Sequence, residues 1–246
     1  MLILNADDFG RDVSATDRIL ACIDRHRISS TTAMMFMADS ERAARMAPAM
    51  WGVGLHINFS EMFTGPNVSE TLRAAHARVS RFLKRSKHAL LFFHPLLSKD
   101  FQYCFAAQRA EFIRLYGRAP SHFDGHQHLH LATNVLAGRI LPRGARVRRS
   151  FTFFVGEKDP INRAYRRLVD HILAKRYVIT DYFFSIAHYQ DLQRLEHIIG
   201  LSQRSHVELM THPALDNEFE LLCSDAFASV LKRTTVGSFN ELRDAA

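Results

Sequence analysis

Four times in this sequence a short apolar run stops at polar or ionisable side chains. Leu2-Ile3-Leu4 stops at Asn5, Asp7 and Asp8; the run 51–55 stops at His56; Phe123 stops at Asp124 and three histidines; the run 207–210 stops at Thr211 and His212. Short apolar runs of this kind read as buried strands, which are typical of parallel sheets covered by helices. Helical stretches separate them. Ser14 is placed to cap a helix reaching Arg27, an Ala-rich helix covers 40–50 after a strand at 33–37, and an amphipathic helix at 101–116 ends at Gly117 and Pro120. Further helices are expected from 131 to 140, over 161–176, 192–201 and 225–232, with a short extended piece at 146–148. Repeated strand-then-helix units define a parallel α/β fold, either a barrel or a doubly wound sheet. Polar residues gathered at the strand C-termini favour the barrel, where those ends converge on one face.

At 246 residues the chain fits a single domain, 1–246. The pattern loosens over 61–99, which reads as an insertion or lid. Its basic residues and Phe82, Phe92 and Phe93 fit a helix packed on the body, or a surface that touches lipid. Lys and Arg number 32 against 25 Asp and Glu, but the charge is spread along the chain, which disfavours a nucleic-acid partner. No apolar run reaches the roughly 20 residues of a bilayer span, and MLILNADDFG lacks the basic start and long apolar stretch of a signal peptide, so a soluble cytoplasmic protein is expected. Cys22, Cys104 and Cys223 form no CxxC pair and read as buried thiols.

Fourteen histidines make a metal or acid/base enzyme worth testing. Gly10 shows that the chain is turning just after Asp7 and Asp8, so both carboxylates can reach one mouth. If the strand persists, alternation puts Asp124, His126, His128 and His130 on one face. Same-face neighbours lie roughly 6.5 to 7 Å apart, so one of the three histidines is a ligand and the others touch the ligands or the substrate. A carboxylate, His56 and that histidine leave open positions on a divalent ion, as hydrolysis requires. His212 is placed to protonate a leaving group. Residues alone leave open which aspartate and which histidine bind the ion.

These segments, LNADDFG at 4–10, GLH at 54–56, FDGHQHLH at 123–130 and THP at 211–213, resemble in order the motifs of YdjC-like carbohydrate deacetylases, the family of chito-oligosaccharide and hopanoid-glycan deacetylases. The resemblance runs to about Ala214. It implies a distorted TIM-like (β/α) barrel, commonly dimeric, that removes an N-acetyl group from an amino sugar of a glycan or glycolipid. It implies Asp8, His56 and His126 as metal ligands, Asp7 as base and His212 as acid. Arg148 orients Asp7 or binds substrate, and His128 and Asn58 are further substrate contacts. The ion is one divalent metal, Zn²⁺ or Mg²⁺, with Mn²⁺ or Co²⁺ also compatible with mixed N/O ligands. The competing readings are another metal-dependent hydrolase, such as a phosphoesterase with His128 and His130 as a second site, and a non-catalytic glycan-binding protein.

Overall fold

The computed structural model describes residues 1–48, 51–154, 156–186 and 192–242. Its frame is one parallel sheet of β1 (Leu2–Phe9), β2 (Ser30–Ala33), β3 (Val53–Ile57), β4 (Phe123–Gly125), β5 (Tyr182–Ser185) and β6 (Val207–Thr211). The strands lie in the order β4-β3-β2-β1-β6-β5, and the two-residue β7 (Val236–Gly237) pairs with the start of β1. Every residue of β1 is buried, as a strand covered on both faces must be.

The sheet curls. Single parallel bridges join Phe123 to Val147 and Arg146 to Val178, and Thr152 N–H donates to the Phe183 carbonyl at 2.8 Å, so irregular chain links β4 back towards β5. The result is an α/β fold with a curled parallel sheet, which agrees with the expected distorted barrel in its strand direction and curl. The extended piece expected at 146–148 is part of that link.

Around the sheet run α1 (Val13–Asp24), α2 (Ser40–Met46), α3 (Glu70–Lys84), α4 (Ser98–Tyr116), α5 (Thr133–Ala137), α6 (Pro160–Ala174), α7 (Leu192–Ser202), α8 (Asp216–Cys223) and α9 (Asp225–Leu231). Asp12, not Ser14, caps α1, its carboxylate accepting from Ala15 N–H at 2.9 Å. Gly117, at φ +66°, ends α4 in the left-handed conformation that glycine adopts without strain. The strand expected at 33–37 lies earlier, because the chain leaves the sheet after Ala33 and turns through Phe36 at φ 62°. The segment 61–99 is largely the crossover from β3 to β4. Its helix α3 turns Leu72, Ala75, Val79 and Leu83 into the core, and Arg78 forms an ion pair with Asp100 on α4.

One large apolar core runs between sheet and helices, and a smaller cluster of Ile3, Phe239 and Leu242 closes the N-terminal end of β1. Among the described residues no helix is long and apolar enough to cross a membrane.

Candidate active site

The C-terminal ends of β1, β3, β4 and β6 bring Asp7, Asp8, His56, His126 and His212 together. Ordinary alternation would send neighbouring aspartates to opposite faces. Asp8 instead adopts φ 71°, and the pairing of β1 with β2 is irregular between Ala6 and Phe9. That left-handed residue turns the Asp8 carboxylate to the same mouth as Asp7.

Asp8 Oδ1 lies 3.3 Å from His56 Nε2 and 3.2 Å from His126 Nδ1. The ligand atoms of these three residues all fall within 4.8 Å of one another, which suits one divalent ion. The other nitrogen of each imidazole faces a carboxylate. His56 Nδ1 is 2.8 Å from Asp124 Oδ1, and His126 Nε2 is 3.1 Å from Glu61 Oε2. A carboxylate so placed can accept the N–H of its histidine and turn the opposite nitrogen to a metal ion, the usual arrangement of metal-binding imidazoles. On the far side of Asp8, Arg11 Nη1 contacts Oδ2 at 2.6 Å. The donor set fits a divalent cation with mixed nitrogen and oxygen ligands.

The electrostatics follow from the same crowding. Burial opposes the charged form of Asp8, yet His126 and His56 hold its carboxyl well below the usual range. Burial likewise disfavours a charged His56, but Asp124, Asp7 and Asp8 raise its pKa well above the ordinary value. The pocket therefore concentrates negative charge where a cation would sit.

Asp7 is held from behind. Arg148, which is fully buried, donates from Nη1 to Asp7 Oδ2 at 2.6 Å and from Nη2 to Oδ1 at 2.7 Å. The same guanidinium reaches Asp124 Oδ2 at 2.7 Å and Glu208 Oε1 at 2.7 Å, and Asn5 Nδ2 donates to Asp7 Oδ1 at 2.9 Å. Despite the Arg148 contact, burial pushes the Glu208 carboxyl up to about 8. A second group of candidate ligands, Asp7, His56 and Asp124, is already neutralised by this arginine.

His212 Nε2 is 4.0 Å from Asp7 Oδ2, across the mouth. Its backbone N–H donates to Glu218 Oε2 at 2.6 Å, and its Nδ1 is 3.8 Å from Glu218 Oε1. Burial lowers the His212 pKa, but Glu218, Asp7 and Asp8 outweigh it and leave the imidazole raised.

The structure corrects one expectation, about strand geometry, and locates the residues expected to contact substrate. The strand does not persist through 124–130. It ends at Gly125, and Gln127 and His128 take φ values of 54° and 58°, so the four polar residues do not share a face. His126 turns to Asp8, His130 bonds the Arg148 carbonyl at 3.0 Å, and His128 packs edge-on against Phe151. His128 thus stands apart from the ligand cluster, beside a groove, and does not pair with His130 as a second metal site. Asn58 is buried: its Oδ1 accepts from Ser60 N–H and Glu61 N–H, and its Nδ2 donates to the Glu61 carbonyl at 2.7 Å. Its amide is committed to the turn that carries Glu61. Arg148, with no solvent exposure, meets Asp7 from behind.

Sequence reasoning gave no role to Asp124, Glu61, Glu208, Glu218, Asn5 or Arg11. Glu208 had a signal, an acid inside an otherwise apolar strand; Glu61 and Glu218 had none, since only folding brings them to the histidines they face.

A curled parallel sheet with a carboxylate and two imidazoles converging at its C-terminal edge defines an α/β protein with a candidate divalent-metal site. The profile of the YdjC-like protein family matches residues 1–233, and the chain belongs to that family. A chitooligosaccharide deacetylase of Serratia marcescens is 28% identical over 140 residues, which cover 55% of this chain and 52% of that protein. A chitooligosaccharide deacetylase of Yersinia pestis (strain Pestoides F) is 25% identical over 231 residues, covering 92% of this chain and 82% of the relative. The fold is similar to that of a protein from Enterococcus faecalis V583 with the provisional name of a cellobiose-phosphate cleavage protein. Its TM-score is 0.69 at 17% identity, over 98% of both chains.

Proposed function

We infer that this chain is a metal-dependent carbohydrate N-deacetylase, acting on an N-acetylated amino sugar of a glycan or glycolipid. The observation that carries the reading is the placing of Asp7 and His212 on either side of a mouth floored by Asp8, His56 and His126, with Asp7 Oδ2 4.0 Å from His212 Nε2. The names of the relatives support the substrate class.

Asp8, His56 and His126 would hold one divalent ion, Zn²⁺ or Mg²⁺ in the first instance. Bound there, it supplies Lewis-acid polarisation of the acetyl carbonyl and a lowered pKa for water. Asp7, fixed by Arg148 and Asn5, takes a proton from the attacking water as its oxygen bonds to the acetyl carbon. The C–N bond then breaks while His212 Nε2 gives its proton to the departing nitrogen. Acetate and a free amino sugar result, with atoms and charge balanced. Asp124 and Glu61 hold the two imidazoles in the tautomers that ligation needs. The resemblance further suggests a homodimer.

Acetate release from a panel of N-acetylated amino sugars tests the reading. Metal-loaded wild type is expected to release acetate, while chelated protein and a folded Asp7→Asn variant release about 10²- to 10⁴-fold less. Undiminished release from either of the two, or none from the metal-loaded enzyme on any sugar, would overturn it.

A further inference from the structure

Helix α6 carries an apolar stripe that no described residue covers. Ile161, Tyr165, Leu168 and Ile172 recur at intervals of four, three and four residues, the spacing of one helix face, and all four are exposed, Ile161 at 82%. The helix has its core contacts elsewhere, through Val169 and Leu173. Across a groove of about 640 Å³ stands a second apolar bank. Leu90 and Leu91 face Ile161 and Tyr165 there, and the chain continues into Phe92, exposed at 64%, Phe93 and Leu96, exposed at 87%. Monomeric soluble proteins rarely leave so many large apolar side chains together in water without a use.

The charge around these banks is mostly positive, although the exposed Asp159, which caps α6, lines the groove. No carboxylate occurs between Glu70 and Asp100, whereas exposed Lys84, Arg85 and Lys87 lie just before the apolar bank. On α6 the only acid is Asp170, which is buried and receives a hydrogen bond from Arg149 Nη2 at 2.6 Å. Arg163 and Arg167 lie off the stripe, in a separate pocket with Asp170, so the basic residues of this face are Lys84, Arg85 and Lys87. An isologous contact with a second copy would join two such basic faces with little but Asp159 on either to answer Lys84, Arg85 and Lys87. An anionic bilayer answers both features, since headgroups pair with the basic residues while the aromatic and aliphatic side chains enter the acyl boundary.

We propose that the face formed by α6 and residues 84–96 docks on the surface of an anionic lipid bilayer. The groove between the banks has Gln127 and His128 in its wall, directly after the candidate ligand His126, so a docked molecule turns the approach to its site towards the lipid surface. The docking stands or falls apart from the chemistry of the site.

Vesicle co-sedimentation of the full chain tests it. Wild type is expected to bind mixed phosphatidylglycerol–phosphatidylcholine vesicles, to release from them at high salt, and to ignore phosphatidylcholine alone. The exposed-site variants Ile161→Ser with Leu168→Ser, and Phe92→Ser with Phe93→Ser, should lower the partition coefficient by about tenfold or more. Lys84→Glu with Lys87→Glu should abolish the preference for anionic lipid, with circular dichroism confirming that each variant is folded. Failure of wild type to bind, equal binding to neutral vesicles, or variants that bind like wild type would overturn the proposal. So would a dimer that the Ile161→Ser, Leu168→Ser change converts to monomer, since the face would then belong to a second copy. Deacetylation is not the readout, so loss of that activity leaves the result intact.

Discussion

Arg148 and Asp7 form a bidentate pair, Nη1 to Oδ2 at 2.6 Å and Nη2 to Oδ1 at 2.7 Å, in which the guanidinium is wholly removed from solvent. Three carboxylates share this one cation, so its planar fork fixes the direction of Asp7 as well as its charge. Lysine offers a point charge in place of a fork. Arg148→Lys should cut kcat about tenfold or more and lower the melting temperature, whereas Arg148→Met, which strands buried acids, should cost about 3–5 kcal/mol and leave little folded protein. Paired steady-state kinetics and thermal melts check this; an Arg148→Lys enzyme with wild-type kcat would remove the positioning role.

His212 is expected to act in its protonated form, and its raised pKa sets where activity fails. Rate should therefore decline with rising pH, on a limb above the ordinary histidine value of about 6.5. Glu218 is the strongest of the contacts that raise it. Glu218→Gln should move the limb of the kcat/KM profile to lower pH, and an unmoved limb would mean that another group titrates.

Gly54 is required by contact. A Cβ there would come within 2.5 Å of His122 Cε1 and 2.7 Å of the Thr32 methyl. The His122 ring stacks on Phe239 at 3.8 Å, and its Nε2 meets Asn5 Oδ1 at 3.2 Å, so it cannot yield freely. Gly54→Ala should destabilise the fold by about 1–3 kcal/mol through overpacking. Urea unfolding measures this, and an unchanged midpoint would contradict the rigidity of that wall.

Three histidines are buried in their neutral forms. Burial lowers the His122 pKa to about 3, and those of His130 and His76 to about 4. In the unfolded chain each binds its proton near 6.5, so the unfolded state holds more protons over the interval between. Stability should be complete above about pH 6.5 and fall as pH drops towards 3. His122→Phe should flatten part of that decline in a pH series of denaturant titrations; an unaltered slope would show that His122 is not among the groups responsible.

Much of this was legible in the sequence because it was local. The buried strands β1 and β6 announced themselves as apolar runs, and their polar ends marked the residues that meet at the mouth. Asp124 was visible but lacked a role, since alternation in β4 says nothing about what lies across the sheet. The reading of 124–130 as continuous strand failed where two residues adopt positive φ without being glycine, a choice set by packing around Arg148 and Phe151. Glu61 and Glu218 were beyond reach for a different reason: each meets its histidine only through a turn or a helix start, and such turns leave no periodic trace.

The pairing of β1 carries one more implication, for the order in which the chain is made. β1 holds both aspartates of the mouth, yet its partner along one edge is β6 at 207–211, and at the base of its other edge, below β2, it pairs with β7 at 236–237. A nascent chain shorter than these has an apolar first strand with an open edge, which invites pairing with a neighbour. Residues this distant also make closure slow, because much loop entropy is lost before the contact forms. The two carboxylates of the mouth are therefore made well before β6, the strand that sets them in place.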